Sequence, residues 1–199
     1  MKQRPVFLET DKLYFSQFIE SDFTEKIPFW YSDKEVTQFL SRGTLPPLPA
    51  LLKNDFDQLK QQNSEIQFAI MDKKTHQIIG LVGLHSINWL SRHAEFRILI
   101  GEKKFWGKGY GAQACELCVA YGFEALNMNK IWLGVNTENQ KAFESYRRAG
   151  FKPEGVLRQE LFKNGRYFDI ARMSLLTSEY KKTKTEWSTL KWIKKQYPA

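Results

Sequence analysis

The chain is organised around the stretch Glu95-Phe-Arg-Ile-Leu-Ile-Gly-Glu-Lys-Lys-Phe-Trp-Gly-Lys-Gly-Tyr-Gly-Ala-Gln-Ala114. Its apolar run at 96–100 predicts a β-strand, a glycine-rich loop follows at Gly107–Gly111, and a helical pattern then continues to Leu126. Glycines let successive backbone N–H groups turn toward one point without Cβ clashes. The start of a helix adds unpaired N–H donors and the positive end of its dipole. The stretch therefore predicts a phosphate or pyrophosphate site. Nearby lysines are expected to attract the anion: Lys103, Lys104 and Lys108.

Other interpretations of the loop are weaker. A P-loop is excluded because the spacing from Gly101 to Gly107-Lys108 is one residue too long, and Gly109 stands where Ser or Thr would bind magnesium. A dinucleotide fingerprint fits by letter, with Ala112 as its last small residue, but it requires repeated βαβ units and a parallel sheet. A glycine-rich turn that binds no ligand remains the alternative.

The segments before the loop predict an antiparallel meander. Ile66–Met71 and Gln77–Leu84 flank a turn at 72–76 and are typical of a hairpin, and 88–91 turns the chain into the strand that starts at Glu95. This order argues against the dinucleotide fold. Near the C-terminus, two further strands are predicted at 151–161 and 166–176, joined by the hairpin pair Asn164-Gly165.

The N-terminal part is predicted to combine one strand with short helices. Leu13–Ile19 is the expected strand, and Ser21 or Asp22 is the expected cap of a following helix. Two short helices are expected around Ser32-Asp33, with Pro28 kinking or dividing them. A proline-rich loop at 42–49 then precedes apolar helical spacing. That spacing is formed by Leu51, Leu52, Phe56 and Leu59.

The segment after the loop helix carries a family resemblance. Lys130–Val135 predicts a strand, and Asn139 starts a capped helix that Gly150 ends. Together with the loop, these segments resemble the GNAT superfamily of N-acetyltransferases, whose loop pattern is [Arg/Gln]-x-x-Gly-x-[Gly/Ala]. Here Trp106-Gly-Lys-Gly109-Tyr-Gly111 occupies that pattern, with Trp at a position that chiefly contributes its backbone.

Two further segments narrow the resemblance. Arg92–Phe96 and Lys163–Tyr167 are most similar to the spermidine/spermine and ribosomal-protein-alanine N-acetyltransferase branch. The similarity spans 13–176 and implies a single α/β domain with a mixed, mostly antiparallel central sheet flanked by helices. We assign this domain to 1–176, followed by a basic C-terminal tail at 177–199. The apolar spacing of Leu190, Ile193 and Tyr197 predicts a helix in the tail, which is expected to pack on its own domain or on a sister subunit.

The resemblance also implies how acetyl-coenzyme A is bound as co-substrate. The main chain of the strand is expected to contact the pantetheine arm, and the loop is expected to hold the pyrophosphate. The next helix is expected to contact the arm from its other side. The strand residues are Ile98, Leu99 and Ile100, the loop residues are Trp106, Gly107, Lys108, Gly109, Tyr110, Gly111 and Ala112, and the helix residues are Asn139 and Ala142. The strands on either side of the site are expected to be splayed neighbours in the sheet.

Two residues are candidates for proton transfer. An alkyl ammonium has a pKa near 10.4, so deprotonating it at pH 7 costs roughly 4–5 kcal/mol, and Glu95 is the candidate base or water-relayed carboxylate. The alternative is a surface carboxylate paired with Arg92 or Arg97. Tyr146 lies seven residues after Asn139 and matches the tyrosine that many GNAT enzymes use as general acid toward the thiolate. The alternative for Tyr146 is a core aromatic.

Composition sets outer limits on function. The 199 residues suit one domain, and no apolar run is long enough for a membrane span, so a cytoplasmic protein is expected. The net charge of +8 suits the phosphates of a cofactor, while no zinc-finger, RNP or recognition-helix pattern favours nucleic acid. Cys115 and Cys118 are expected to be small buried helix residues, and no metal site is predicted because the histidines lack ligand spacing.

The resemblance thus implies an acetyl-coenzyme A-dependent N-acetyltransferase that acts directly, in a ternary complex, on a primary amine, with a polyamine as the favoured acceptor. The alternatives are an N-terminal acetyltransferase of a ribosomal or other protein, with a protein N-terminus as acceptor, and a non-catalytic coenzyme A-binding module. The sequence is also compatible with a homo-oligomer. The charge of +8 opposes a polycation unless the pocket is locally acidic. Candidates for such a pocket are Glu20, Asp22, Glu25, Asp33 and Glu35.

Overall fold

One mixed sheet runs through the protein. The computed structural model describes residues 4–41, 43–44, 52, 54, 57 and 64–198. Within them the sheet has eight strands in the order β1-β2-β3-β4-β5-β6-β8-β7, and every neighbouring pair is antiparallel except β5 with β6. This confirms the predicted fold class. The strands are β1 Leu8–Glu9, β2 Leu13–Ser16, β3 Ile66–Asp72, β4 Ile78–Asn88, β5 His93–Ile100, β6 Lys130–Asn136, β7 Lys152–Lys163 and β8 Arg166–Leu176.

Helices cover both faces of the sheet. On one face the central helix α2 packs with Phe96 and Ile98 of β5, and on the other α1 packs with Leu99. This division follows from the alternation of side chains along a strand. The helices are α1 Ile27–Ser32, α2 Tyr110–Glu124, α3 Gln140–Arg148, α4 Thr177–Thr183 and α5 Leu190–Gln196, with a π-helical turn at Asp22–Lys26 and 3-10 turns at Lys103–Phe105 and Lys184–Glu186.

The predicted hairpins are confirmed. β3 pairs with β4 and β7 pairs with β8, both antiparallel. Asn164 and Gly165 have φ angles of 51° and 80°, the positive values that a type I′ turn requires at both central positions. Cys115 and Cys118 are free and buried in α2, as expected, and burial raises the pKa of both thiols.

Predictions for the N-terminal part were partly wrong. The strand expected at Leu13–Ile19 is the second strand, β2, and it ends at Ser16; the short β1 before it was not predicted. Of the two expected caps, Ser21 stands at the N-cap of the turn Asp22–Lys26, without a capping hydrogen bond from its side chain. Asp22 is not the cap: its buried carboxylate accepts two hydrogen bonds from Arg4, at 2.6 and 2.7 Å, and one from the Ile19 N–H. The second short helix is replaced by turns at 34–39. There the Asp33 carboxylate accepts hydrogen bonds from the next backbone amides, which competes with helical pairing.

The predicted loop at 42–49 and the apolar helical spacing from Leu51 to Leu59 lie largely outside the described residues. Leu52 is described and is buried against the cluster that contains α1.

The C-terminal helices pack on the core. Tyr180, Trp187 and Ile193 are buried in the same cluster as α2. The Tyr180 hydroxyl donates to Glu124 at 2.7 Å, and Glu116 accepts hydrogen bonds from the backbone and side chain of Thr189. The basic residues of this segment therefore stand on helices anchored by apolar side chains. Among the described residues, no helix combines the length and apolarity that crossing a bilayer requires.

Candidate functional site

A fork between β5 and β6 forms the centre of the candidate site. These parallel strands pair only from His93 with Lys130 to Glu95 with Trp132. Beyond that point β5 continues to Ile100 with β4 as its strand partner, while β6 continues to Asn136 paired with β8. The predicted splaying of the two strands is thus confirmed. The edge of β5 that faces the fork has no strand partner among the described residues, so its backbone is available to a ligand in extended conformation.

The glycine-rich loop lies where β5 passes to α2. Gly107 and Gly109 have φ angles of 70° and 84°, a region that costs other residues backbone strain. Gly109 is the N-cap of α2, and no side chain in the described part of the protein caps the helix. The first N–H groups of this 15-residue helix, from Tyr110 to Ala112, therefore have no capping side chain as partner. Apart from its neighbours in the chain, no described residue has an atom within 4 Å of the position that a Cβ would take at Gly107. These features fit a bound pyrophosphate.

Two loop side chains have roles that the sequence did not indicate. The Trp106 indole donates to the Ile100 carbonyl at 2.7 Å and so fastens the loop to the end of β5. The Ile100 carbonyl is therefore already hydrogen-bonded within the protein, although Ile100 is one of the residues expected to contact pantetheine. The Tyr110 hydroxyl donates to Asp72 at 2.7 Å. Burial and the nearby Asp72 carboxylate raise the pKa of Tyr110 to about 12. The Tyr110 side chain thus fixes the start of α2, and only its backbone faces the loop.

The cations around the loop also differ from those expected. Lys12, just before β2, donates from Nζ to the Lys108 carbonyl at 2.8 Å across 96 positions of sequence. No spacing pattern could have revealed this contact. Lys103, expected to attract the anion, instead lies 2.9 Å from both Asp33 and Glu35. These carboxylates raise the pKa of Lys103 and offset its charge. Lys104 donates to the neutral Gln77 side chain at 3.1 Å, so Lys12, Lys104 and Lys108 are the cations near the loop.

The N-terminus of α3 closes the fork on the β6 side. Asn139 caps the helix by accepting from the Ala142 N–H at 3.2 Å. Asn136, at the end of β6, was missed by the sequence analysis. Its Oδ1 accepts from Glu138 at 2.9 Å, while its buried Nδ2 has no hydrogen-bond partner among the described residues. A buried amide donor without a partner is costly, so Asn136 is suited to donating to a ligand.

Tyr146 stands beside the fork. Its ring meets Phe96 of β5 edge-on, with centroids 6.1 Å apart, and lies equally close to Phe151. Burial raises the pKa of its phenol. The side chain is half-buried in the core cluster that contains α2, so the general-acid and core-aromatic interpretations both remain compatible with its packing.

Glu95 is the last β5 residue that pairs with β6, and its side chain points to the opposite face from Phe96. It belongs to a polar cluster formed by Glu65, His85, Glu95 and Arg97. Arg97 donates to Glu95 at 2.7 Å, and Nδ1 of the buried His85 lies 3.1 Å from Glu65. The expected alternative, an ion pair with Arg97, is therefore present, and it leaves Glu95 within reach of the fork.

His85 and Glu65 were missed because their association depends on strand register. His85 pairs with Glu95 across β4 and β5, next to a bulge at which Ser86 has a φ of 49°. Burial lowers the pKa of His85, and Arg97 lowers it further against the opposing effect of the carboxylates. The neutral form of His85 is thus favoured at pH 7. Extending the register of the predicted β3–β4 hairpin by one position beyond Ile66 and Leu84 would have placed Glu65 opposite His85.

A surface pocket of about 480 Å³ lies between α1 and the segment after β5. Phe29 and Trp30 line it, and Trp30 packs directly over Gly101, where a Cβ would collide with its ring. Its three acidic and three basic residues balance one another: Glu25, Asp33, Glu102, Lys26, Lys103 and Lys104. Arg4 pairs with Asp22, and Lys103 lies between Asp33 and Glu35, so three of the five acidic residues considered for a pocket in the first helical region have a cationic partner.

Comparison with known proteins agrees with this geometry. Residues 12–152 match the model of the acetyltransferase (GNAT) domain. The chain is 40% identical over 132 residues to a spermidine N(1)-acetyltransferase of Vibrio cholerae, a match that covers 63% of this chain and 75% of the relative. It is 44% identical over 101 residues to a spermidine N(1)-acetyltransferase of Escherichia coli, covering 51% of this chain and 54% of that protein.

The fold also matches solved structures. The crystal structure of spermidine N-acetyltransferase from Vibrio cholerae in complex with CoA and spermine superposes with a TM-score of 0.77 at 32% identity. The match covers 85% of this chain and 98% of that one.

Proposed function

The chain belongs to the GNAT family of N-acetyltransferases, and we propose that it transfers the acetyl group of acetyl-coenzyme A to a primary amine of a polyamine. The observation that carries this proposal is the fork between β5 and β6 with the glycine-rich loop at one end. Enzymes of this family use acetyl-coenzyme A as co-substrate. An extended edge of backbone and a cluster of helix N–H groups suit the two chemically different parts of that molecule, an amide-rich arm and a diphosphate.

Glu95 and Tyr146, on opposite sides of β5, would each carry out one of the two proton transfers. Glu95 belongs to the face covered by α1 and would accept the amine proton, directly or through water. Tyr146 contacts Phe96 on the other face and would donate to the departing thiolate. A thiol pKa near 8.5 lies below that of a phenol, and burial raises the pKa of Tyr146 further, so this donation is uphill, yet it stabilises charge as it develops. The main chain of Ile98 and Leu99 is the proposed contact for the thioester and its arm.

Direct transfer in a ternary complex is preferred to an acyl-enzyme. An acyl-enzyme requires an accessible activated nucleophile. Cys115 and Cys118 are buried, and burial raises their pKa, so the reactive thiolate is disfavoured at both. The amine would therefore attack the thioester itself while both substrates are bound.

The choice of a polyamine rests on similarity and on the polar cluster. The relatives in Vibrio cholerae and Escherichia coli are spermidine N(1)-acetyltransferases. Glu65 and Glu95 supply two carboxylates against one Arg97 guanidinium near the fork, an excess of negative charge that favours an ammonium. The net charge of +8 opposes a polycation at long range. The second candidate is a protein N-terminus, whose smaller charge avoids this repulsion.

A thiol-release assay with acetyl-coenzyme A tests the proposal. The acceptor panel contains spermidine, spermine, N-terminal peptides of ribosomal proteins and aminosugars. We expect the highest kcat/KM with spermidine or spermine. Preference for the peptides would support the second candidate, and tight coenzyme binding without turnover on any acceptor would favour a non-catalytic coenzyme A-binding module.

A further inference from the structure

Lys163 is a buried lysine at the tip of the β7–β8 hairpin. It is 3% exposed, and its Nζ donates to the carbonyl oxygens of Leu40, at 2.8 Å, and Thr37. Burial lowers the pKa of Lys163. Removing an ammonium from water is costly even when carbonyl groups bind it, and an apolar side chain of similar length avoids that cost. Lys163 is therefore better suited to fixing two segments in place than to adding stability.

The other side of the same hairpin tip is fastened as well. Arg166 makes a bidentate contact with Glu138, with N–O distances of 3.1 and 2.9 Å. Glu138 lies between Asn136, at the end of β6, and Asn139, the N-cap of α3. The tight turn at 164–165 separates the two anchoring residues, so one short rigid tip holds both contacts.

These contacts connect the two sides of the fork. The turn at 37–40 continues from α1, and Leu40 packs on the cluster that contains Trp30 and Leu99. On the same face, Tyr31 lies close enough to Arg97 to affect its pKa. Glu138 belongs to the opposite side, with α3 and its Tyr146. The hairpin tip thus spans from the turn that follows α1 to the segment that precedes α3, the helix of the candidate acid.

We propose that the hairpin tip is a clasp, formed by Lys163 and Arg166, that holds the turn at 37–40 and the segment around Glu138 at a fixed distance. This distance sets the width of the opening through which the amine enters, and Lys163 is the positioning residue for the amine. This role rests on the proposed function. Lys163 does not touch the reacting atoms; it holds the turn at 37–40 against the hairpin. Loss of the contact lets that turn move away, which weakens amine binding while the loop around Gly107–Gly111 still binds the coenzyme.

The test compares Lys163→Met and Arg166→Gln with Lys152→Met. Lys152 is the control because it lies on the same strand, far from the tip, and pairs with Glu179 at 2.7 Å. We expect Lys163→Met to raise the KM for the amine about tenfold and Arg166→Gln about threefold, since both remove acceptor positioning. The Kd for acetyl-coenzyme A should stay within about twofold of wild type. The control should change neither constant.

Hydrogen exchange supplies a readout that does not require turnover. The Leu40 N–H bonds to the Thr37 carbonyl at 2.9 Å, and it should exchange faster in Lys163→Met but not in Lys152→Met. If Lys163→Met does not fold, Arg166→Gln carries the same comparison. An unchanged KM for the amine, or equal changes for both substrates, contradicts the clasp while wild-type turnover still supports the proposed function. A wild-type protein that acetylates no amine contradicts both.

Discussion

Arg97 donates a hydrogen bond to Glu95 at 2.7 Å, between side chains two residues apart on the same face of β5. Glu95 raises the pKa of Arg97, so this guanidinium stays charged at every working pH. An incoming ammonium would therefore compete with Arg97 for one carboxylate. Because the amine must lose its proton before it attacks, the base function of Glu95 matters most where the ammonium form dominates.

Glu95→Gln should lower kcat/KM for the amine about 100-fold, the effect typical of losing a general base. The loss should be greatest at low pH, where fewer amines are already deprotonated. The pH–rate profile of the variant measures this, with Glu186→Gln, an exposed carboxylate in a 3-10 turn, as control. A profile of unchanged shape would remove Glu95 from the mechanism.

Tyr146→Phe should lower kcat about 100-fold because the departing thiolate loses its proton donor. The Kd for acetyl-coenzyme A should change little, since the ring still packs against Phe96. Burial raises the pKa of Tyr146, so the wild-type phenol stays protonated and kcat should show no decline from its ionisation below about pH 10. Tyr121→Phe, another half-buried tyrosine of the same core cluster, is the control. Full activity of Tyr146→Phe would leave the residue as a core aromatic only.

Gly109→Ala should weaken acetyl-coenzyme A binding about tenfold, because a Cβ disfavours the positive φ on which the direction of the loop N–H groups depends. The added methyl itself would meet only Lys12 Nζ at 3.5 Å, an ordinary contact. Calorimetric titration measures the Kd. Gly155→Ala is the matched control, since no φ strain applies and, its chain neighbours aside, none of the described residues has an atom within 4 Å of the new Cβ. Equal affinities of both variants would exclude a binding role for the loop.

Tyr110→Phe should lower the free energy of unfolding by about 1–2 kcal/mol at pH 7, since the lost hydrogen bond reaches a charged acceptor. Burial alone would raise the pKa of Asp72, but hydrogen bonds from Thr75 and Tyr110 outweigh it and the pKa is lowered. A lowered folded-state pKa gives stability that is present above the unfolded value and lost as the pH falls through the folded value.

The difference between wild type and Tyr110→Phe should therefore shrink below about pH 4. Urea unfolding at pH 7 and at pH 3 measures both differences. Tyr167→Phe is the control because Tyr167 is exposed and lies at the far hairpin. A difference of equal size at both pH values would show that Asp72 is not the group responsible.

Local sequence signals predicted most elements of the fold. The alternation in 66–84 and the Asn164-Gly165 pair are short-range patterns, and β3, β4, β7 and β8 formed where those patterns predicted. The errors near Asp22 and Val36 have one cause. The Asp22 carboxylate binds Arg4, and the Asp33 carboxylate binds nearby backbone amides. Helical propensity does not take such side-chain partners into account.

The candidate site likewise combines features that local sequence predicted with contacts that it did not. The positions of the positive-φ glycines, the cap at Asn139 and the order of strand, loop and helix depend on neighbours within a few residues, so the sequence by itself determined the glycine-rich loop and the family. Tertiary structure alone decided which distant partners three of the lysines meet: Lys12 the Lys108 carbonyl, Lys103 the Asp33 carboxylate, and Lys163 the carbonyl groups of the turn at 37–40. These pairs depend on strand register and on close approach between distant segments, and a chain's local spacing does not encode either.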